Sequence, residues 1–155
     1  MYISAYNILM DEYDFDGDPE FISEYDMFNI DRLDTDYEEI SVLTGLEYAV
    51  NATEIHINNG KITDFSPLAN LDKLRSINIA NYNLEGVEDF SAFENLPALE
   101  NFWLGTDNEF NLNILHDNRE LRNVSVQASR LTNIQGLNDL QYLNNVHFSV
   151  QYING

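Results

Sequence analysis

A tripeptide of the form apolar–any–apolar returns along this chain at a nearly fixed interval. Ile55-His56-Ile57, Ile77-Asn78-Ile79, Phe102-Trp103-Leu104, Val124-Ser125-Val126 and Val146-His147-Phe148 are separated by steps of 22, 25, 22 and 22 residues, and a weaker copy, Leu33-Asp34-Thr35, stands 22 before Ile55. A unit this short cannot bury its own apolar row, so successive units must stack and seal one another. Alternate residues of a strand share a face. The two apolar residues of each tripeptide therefore point into the stack, and the residue between them points out. Further apolar positions keep the same frame. Ala49, Ala52, Ile62, Phe65 and Leu68 complete one unit; Leu71, Leu74, Leu84, Val87 and Phe90 complete the next, which adds Phe93 in a three-residue insertion. Asn118 breaks the frame, standing where an apolar first position is expected.

This kernel and interval predict an α/β solenoid: a short leucine-rich-repeat domain with a curved parallel sheet and repeats of about 22 residues. Pro67 lies in the return from Ile62 to Leu68, so the convex side is expected to hold turns and 3₁₀ segments rather than long helices. The repeats run over residues 27–155, about six of them, the first and last incomplete. Residues 1–26 read as an acidic N-terminal helical cap. Asp18-Pro19 is a helix start, with Glu20 near the positive end of the dipole. Phe21, Tyr25 and Phe28 then fall on one helical face, expected to cover the open end of the stack.

The stretch Leu43-Thr44-Gly45-Leu46-Glu47-Tyr48-Ala49, followed by Ile62-Thr63-Asp64-Phe65-Ser66-Pro67-Leu68, resembles the first repeats of bacterial internalin-type leucine-rich-repeat proteins. The resemblance implies a protein-binding concave face and an N-terminal helical cap. It also implies an Asn at the twelfth repeat position that ties adjacent loops. This chain has Gly60, Tyr82, Asp107, Ser129 and Gln151 there, with Asn59 and Asn81 one place earlier as substitutes in two repeats. The last repeat stops at Gly155 without a polar terminal cap, which is expected to leave Leu140, Leu143, Val146, Phe148 and Ile153 near an open edge. A homodimer sealing that edge is one expectation.

Charge narrows the partners. The chain holds 27 acids against 7 bases, and residues 1–40 alone hold 13 acids and one base. Direct nucleic-acid binding and anionic membranes are disfavoured, because both need a basic footprint. A protein partner with a basic surface is expected instead. The candidate acidic flank comprises Asp11, Glu12, Asp14, Asp16, Asp18, Glu20, Asp34, Asp36, Glu38 and Glu39. Glu12-x-Asp14-x-Asp16-Gly17 resembles the start of an EF-hand loop, but Pro19 and Ser23 depart from the rest of it, so Glu12, Asp14 and Asp16 are a weak calcium candidate. With no cysteine and three scattered histidines, no other metal site and no cofactor are expected. Met1-Tyr2-Ile3-Ser4 does not read as a secretory signal, which points to the cytoplasm, or to secretion or the cell surface if the chain is a piece of a longer one.

The outward positions of the strands give a concave surface that is neutral and rich in amides. The candidate partner-binding residues are His56, Asn78, Asn101, Trp103, Asn123, Ser125, Gln127 and His147. Trp103 is central, with Gly105 and Ala80 expected to leave open space beside it, as for an interface anchor. The competing reading packs Trp103 against a neighbour near Tyr82. The serines have no adjacent base of the kind a nucleophile needs, so no catalytic residue and no enzyme is expected. The expected function is a non-catalytic protein–protein interaction module, such as a phage-type inhibitor of a nuclease or another nucleic-acid-handling protein. The alternative is an internalin-like extracellular adhesion or receptor-binding fragment.

Overall fold

The computed structural model describes residues 24–35, 40–82, 87 and 89–150. Each apolar tripeptide lies in a strand: β1 (Arg32–Thr35), β2 (Glu54–Gly60), β3 (Ser76–Asn81), β4 (Asn101–Thr106), β6 (Asn123–Ala128) and β8 (Asn145–Val150). Among the described residues these six strands form one parallel sheet in the order β1-β2-β3-β4-β6-β8. The register follows the sequence period: Leu33, Ile55, Ile77, Phe102, Val124 and Val146 are successive partners across the sheet. Short 3₁₀ turns close the convex side at Leu46–Tyr48, Ser66–Leu68, Ser91–Phe93, Leu112–Asp117 and Ile134–Leu137. A second, two-stranded parallel sheet joins β5 (Glu109–Asn111) to β7 (Arg130–Thr132) at the entry to that side. Among the described residues no helix is long and apolar enough to cross a membrane.

One backbone position binds each turn to the previous one just before its strand. Arg75 N–H donates to Thr53 O (2.8 Å), Glu100 to Arg75 (2.9 Å), Arg122 to Glu100 (2.8 Å) and Asn144 to Arg122 (2.9 Å). The polar groups at strand entry are thus paired between repeats.

The 25-residue step is accommodated by aromatic packing. Phe93, supplied by the insertion, meets Phe65 at 5.1 Å and Phe102 at 5.2 Å between ring centroids, and Phe90 and Phe110 close the cluster at 5.1 Å. The insertion also leaves backbone groups that a 22-residue repeat would pair. Asn118 supplies the partners: its Nδ2 donates to Phe93 O (2.7 Å), and its Oδ1 accepts from Leu96 N–H (2.8 Å), with the side chain fully buried. The break in the apolar frame is therefore a buried amide that satisfies the backbone of the preceding turn.

Of the two substitutes for the missing loop asparagines, Asn81 serves and Asn59 does not. Asn81 Oδ1 accepts from Ile62 N–H (2.7 Å) and its Nδ2 donates to Ile62 O (2.9 Å). Gly60 makes this possible, because a Cβ there would lie 2.7 Å from Asn81 Oδ1. Asn59 is exposed. β2 bulges between Ile57 and Gly60, and the register shift takes Asn59 off the ladder.

The described end of the N-terminal segment corrects the expected capping face. In helix α1 (Glu24–Phe28), Met27 enters the core at 3% exposure, followed by Ile30 at 2%, while Tyr25 and Phe28 are 74% and 50% exposed. Met27 and Ile30 are three residues apart and share the inward face. Asn51 Nδ2 fixes this rotation by donating to Phe28 O at 2.8 Å. Phe21 lies outside the described residues.

Candidate partner-binding face

The parallel register places the outward residues in rows across the strands. One row runs Arg32, Glu54, Ser76, Asn101, Asn123, Asn145; the next runs Asp34, His56, Asn78, Trp103, Ser125, His147. Over β3, β4, β6 and β8 these rows line an open groove of about 490 Å³. Asn78, Asn101, Trp103, Asn123, Ser125 and His147 line it together with Ser76, Asn145 and the apolar residues of the four strands, and among the described residues no Asp, Glu, Lys or Arg does. His56 and Gln127 are not among the lining residues. His56 lies one strand beyond on β2. Gln127 is a row further along, aligned with Gly105 and Ser149.

The amides of the first row bind one another. Asn123 Nδ2 donates to Asn101 Oδ1, and Asn145 Nδ2 to Asn123 Oδ1, both at 2.6 Å. Parallel strands about 4.8 Å apart bring equivalent side chains within this reach. The ladder holds the groove wall in one geometry. It leaves the Asn101 amide nitrogen and the Asn145 carbonyl oxygen as its terminal groups.

The space beside Trp103 is filled, as in the reading that packs it against a neighbour near Tyr82 and not the one that leaves it open. A Cβ at Gly105 would lie 2.5 Å from Tyr82 Oη and 2.9 Å from Trp103 Cη2. The indole and the phenol share the shelf that the missing side chain of Gly105 provides. Trp103 is consequently half-buried and braced along one edge. Burial of the phenol, and then the nearby Asp107 carboxylate, push the Tyr82 pKa above its ordinary value, although the residue as a whole remains 37% exposed. Tyr82 is not among the candidate site residues read from the sequence. The pairing of a Gly with an aromatic 23 residues earlier was the available sign.

His56 and Asp34 form a separate polar group on the N-terminal strands. Asp34 Oδ2 accepts from Arg32 Nη2 at 2.8 Å, and Asp34 Oδ1 lies 3.4 Å from His56 Nδ1. His56 Nε2 faces Asn58 Oδ1 at 2.9 Å. Asp34 is thus turned onto the sheet between two bases, with only 15% of its side chain exposed, rather than presented as an open acidic flank. Asp11, Glu12, Asp14, Asp16, Asp18, Glu20, Asp36, Glu38 and Glu39 lie outside the described residues, and with them the calcium candidate. Among the described residues no three His, Cys, Asp or Glu side chains gather as a metal site would require.

With this geometry in hand, comparison with known proteins is informative about architecture. No protein-family model matches the chain, and no curated protein does. Among solved structures it is similar to an internalin (inlF) from Listeria monocytogenes strain 4b F2365, with a TM-score of 0.76 and 22% identity over 94% of this chain and 42% of that one. The fold is an internalin-type leucine-rich-repeat solenoid. An internalin C2 (inlC2) from the same strain also matches, with a TM-score of 0.41 and 16% identity over 83% of this chain and 77% of that one. The chain spans less than half the length of inlF, 42% of it. At 22% identity the likeness is one of fold, and the groove must be read from its own residues.

Proposed function

We propose that this chain is a non-catalytic protein-interaction module that docks a partner protein in the concave groove. The observation that carries this reading is the groove itself: about 490 Å³, walled by an amide ladder and Trp103, and among the described residues free of Asp, Glu, Lys and Arg in a chain of net charge −20. A neutral surface kept within so acidic a chain is suited to close contact without the desolvation of charges. The half-buried Trp103 is pre-ordered by Gly105 and Tyr82, which lowers the entropy lost on docking.

The partner we infer is basic. The 13 acids of residues 1–40 would steer such a protein toward the groove and raise its association rate. A nuclease or another nucleic-acid-handling protein has the matching surface, and occupying it would inhibit that protein in the cytoplasm. Affinity purification on the immobilised chain at low and high ionic strength tests this. A partner held at low salt, released at high salt and lost from Ser125→Arg supports the reading, since Ser125 sits mid-groove. Capture unaffected by Ser125→Arg removes the groove from the function, and capture unaffected by salt removes the basic partner.

The fold supports a second reading. An internalin-type solenoid covering 42% of inlF is consistent with an adhesion or receptor-binding fragment of a longer cell-surface protein. In that case the groove still docks protein, but its partner is extracellular and its binding depends little on salt.

A further inference from the structure

We propose that a second copy of this chain seats on β8, the two β8 strands running antiparallel about a two-fold axis through Phe148. Among the described residues β8 has a neighbour only on the β6 side. Its inward row is Val146, Phe148 and Val150, in register with the buried Val124, Val126 and Ala128 of β6. Val146 and Val150 are nevertheless 49% and 45% exposed, since among the described residues no further strand packs beside them. An open sheet edge of this composition is a template for pairing.

Three observations select a second copy as the occupant. The first is that the inward row is a palindrome, Val146-x-Phe148-x-Val150. A two-fold axis normal to the sheet keeps inward residues with inward residues. Placed at Phe148, it sets Val146 against the partner copy's residue 150, Phe148 against itself, and Val150 against residue 146. The contact is self-complementary, as an isologous interface must be.

The second is the direction of the backbone groups. Asn145 N–H donates to Arg122 O, so the odd-numbered residues of β8 bond toward β6. By alternation, the N–H and C=O groups of 146, 148 and 150 face the open edge. These are the residues that the two-fold axis would join as hydrogen-bonded pairs.

The third is charge. Residues 119–155 hold two acids against three arginines, whereas residues 1–40 hold 13 acids and one base. Joining two β8 edges sets the two β1 strands at opposite extremes of a continuous sheet, about 50 Å apart at about 4.8 Å per strand. That is several times the screening length of roughly 8 Å in physiological salt, so the charges of the two β1 strands do not oppose the contact, and the residues from 119 onward carry little charge of their own.

Sedimentation equilibrium on the 155-residue chain at about 100 μM is expected to return twice the 17.9 kDa of one chain. Val146→Lys, at a position 49% exposed in the single chain, is expected to return the one-chain mass while its melting transition in dilute solution, at about 1 μM, stays that of the parent. A one-chain mass for the parent, as when β8 serves another protein or further repeats, overturns the proposal. A dimer that survives Val146→Lys overturns it too. The axis is read by disulfide formation, since the chain has no cysteine of its own. Mixed Val146→Cys and Val150→Cys chains are expected to cross-link about tenfold more than either variant alone, because only the mixture brings two thiols to paired positions. Cross-linking of His147→Cys with itself, or equal yields from the mixture and the single variants, would overturn an axis at Phe148.

Discussion

β4 and β8 carry the same apolar–any–apolar kernel at the same repeat position, yet water treats them differently. Phe102 and Leu104 of β4 are 2% and 0% exposed, whereas Val146 of β8 is 49% exposed. The residue types do not explain this, since valine is as apolar at 146 as at 124, where it is 2% exposed. The neighbours do. β4 lies between β3 and β6 above five interlocking phenylalanines, and β8 lies at the end of the described sheet. In a solenoid, burial belongs to the stack and not to the single unit.

The largest expected effect comes from the middle. Phe102→Ala removes a ring packed on Phe93 at 5.2 Å and Phe110 at 5.9 Å, and is expected to cost about 3–5 kcal/mol in urea unfolding. Phe148→Ala, at the partly buried position of β8 that aligns with Leu104 of β4, is expected to cost less than half of that. Equal costs would show that the end of the solenoid is as well packed as its centre, and the comparison would fail.

Asn118 sharpens the same point through polar groups. Asn118→Ala leaves Leu96 N–H and Phe93 C=O buried without partners, at an expected cost of about 3 kcal/mol. Asn118→Leu restores the apolar residue that other repeats have at this position, and is nevertheless expected to cost about as much, because leucine cannot bond the insertion's backbone. A stable Asn118→Leu variant would mean that the insertion satisfies itself.

The period placed the strands, their register and the outward rows correctly, because all three follow from one repeating length and from strand alternation. What it could not place were interactions that cross the period. Asn118 reads as a defect until the 25-residue step before it is seen to leave backbone groups unpaired. Gly105 reads equally as open space or as room for a neighbour near Tyr82 until the phenol is found over it, since 23 residues of chain separate the two and the repeat assigns them different positions. Asp34 reads as one more acid of the N-terminal stretch until the register sets it beside His56. The groove is legible to the same extent: its rows follow from the repeat, and the filling of its surface does not.

A smaller effect is expected at the groove shelf. Gly105→Ala pushes on Tyr82 Oη and the Trp103 indole, the outer ends of side chains that can swing, so the cost is about 1–2 kcal/mol and Trp103 fluorescence shifts toward that of a solvated indole. The pKa of Tyr82 gives an independent check. Because the folded state raises it, the shelf's contribution to stability is fully present below the ordinary tyrosine value and is lost as pH rises through the folded value. Ultraviolet titration is expected to show Tyr82 ionising late in the parent, and that late phase is expected to move down in Gly105→Ala.

The smallest effect is the most direct measure of what a neighbour contributes. Val124 and Val146 are register partners on adjacent strands, so Val→Ala removes the same atoms one strand apart. At Val124 the methyls leave a cavity, and the expected cost is about 2 kcal/mol. At Val146 they leave a surface already half in water, and the expected cost in dilute solution is about 0.5 kcal/mol or less. The gap between these values is the worth of one added layer. It should narrow with protein concentration if a second copy closes the β8 edge, because Val146 then acquires the layer that Val124 already has. Melting both variants at about 1 μM and about 100 μM separates the two cases: a gap that does not change with concentration means that nothing stacks on β8 in solution.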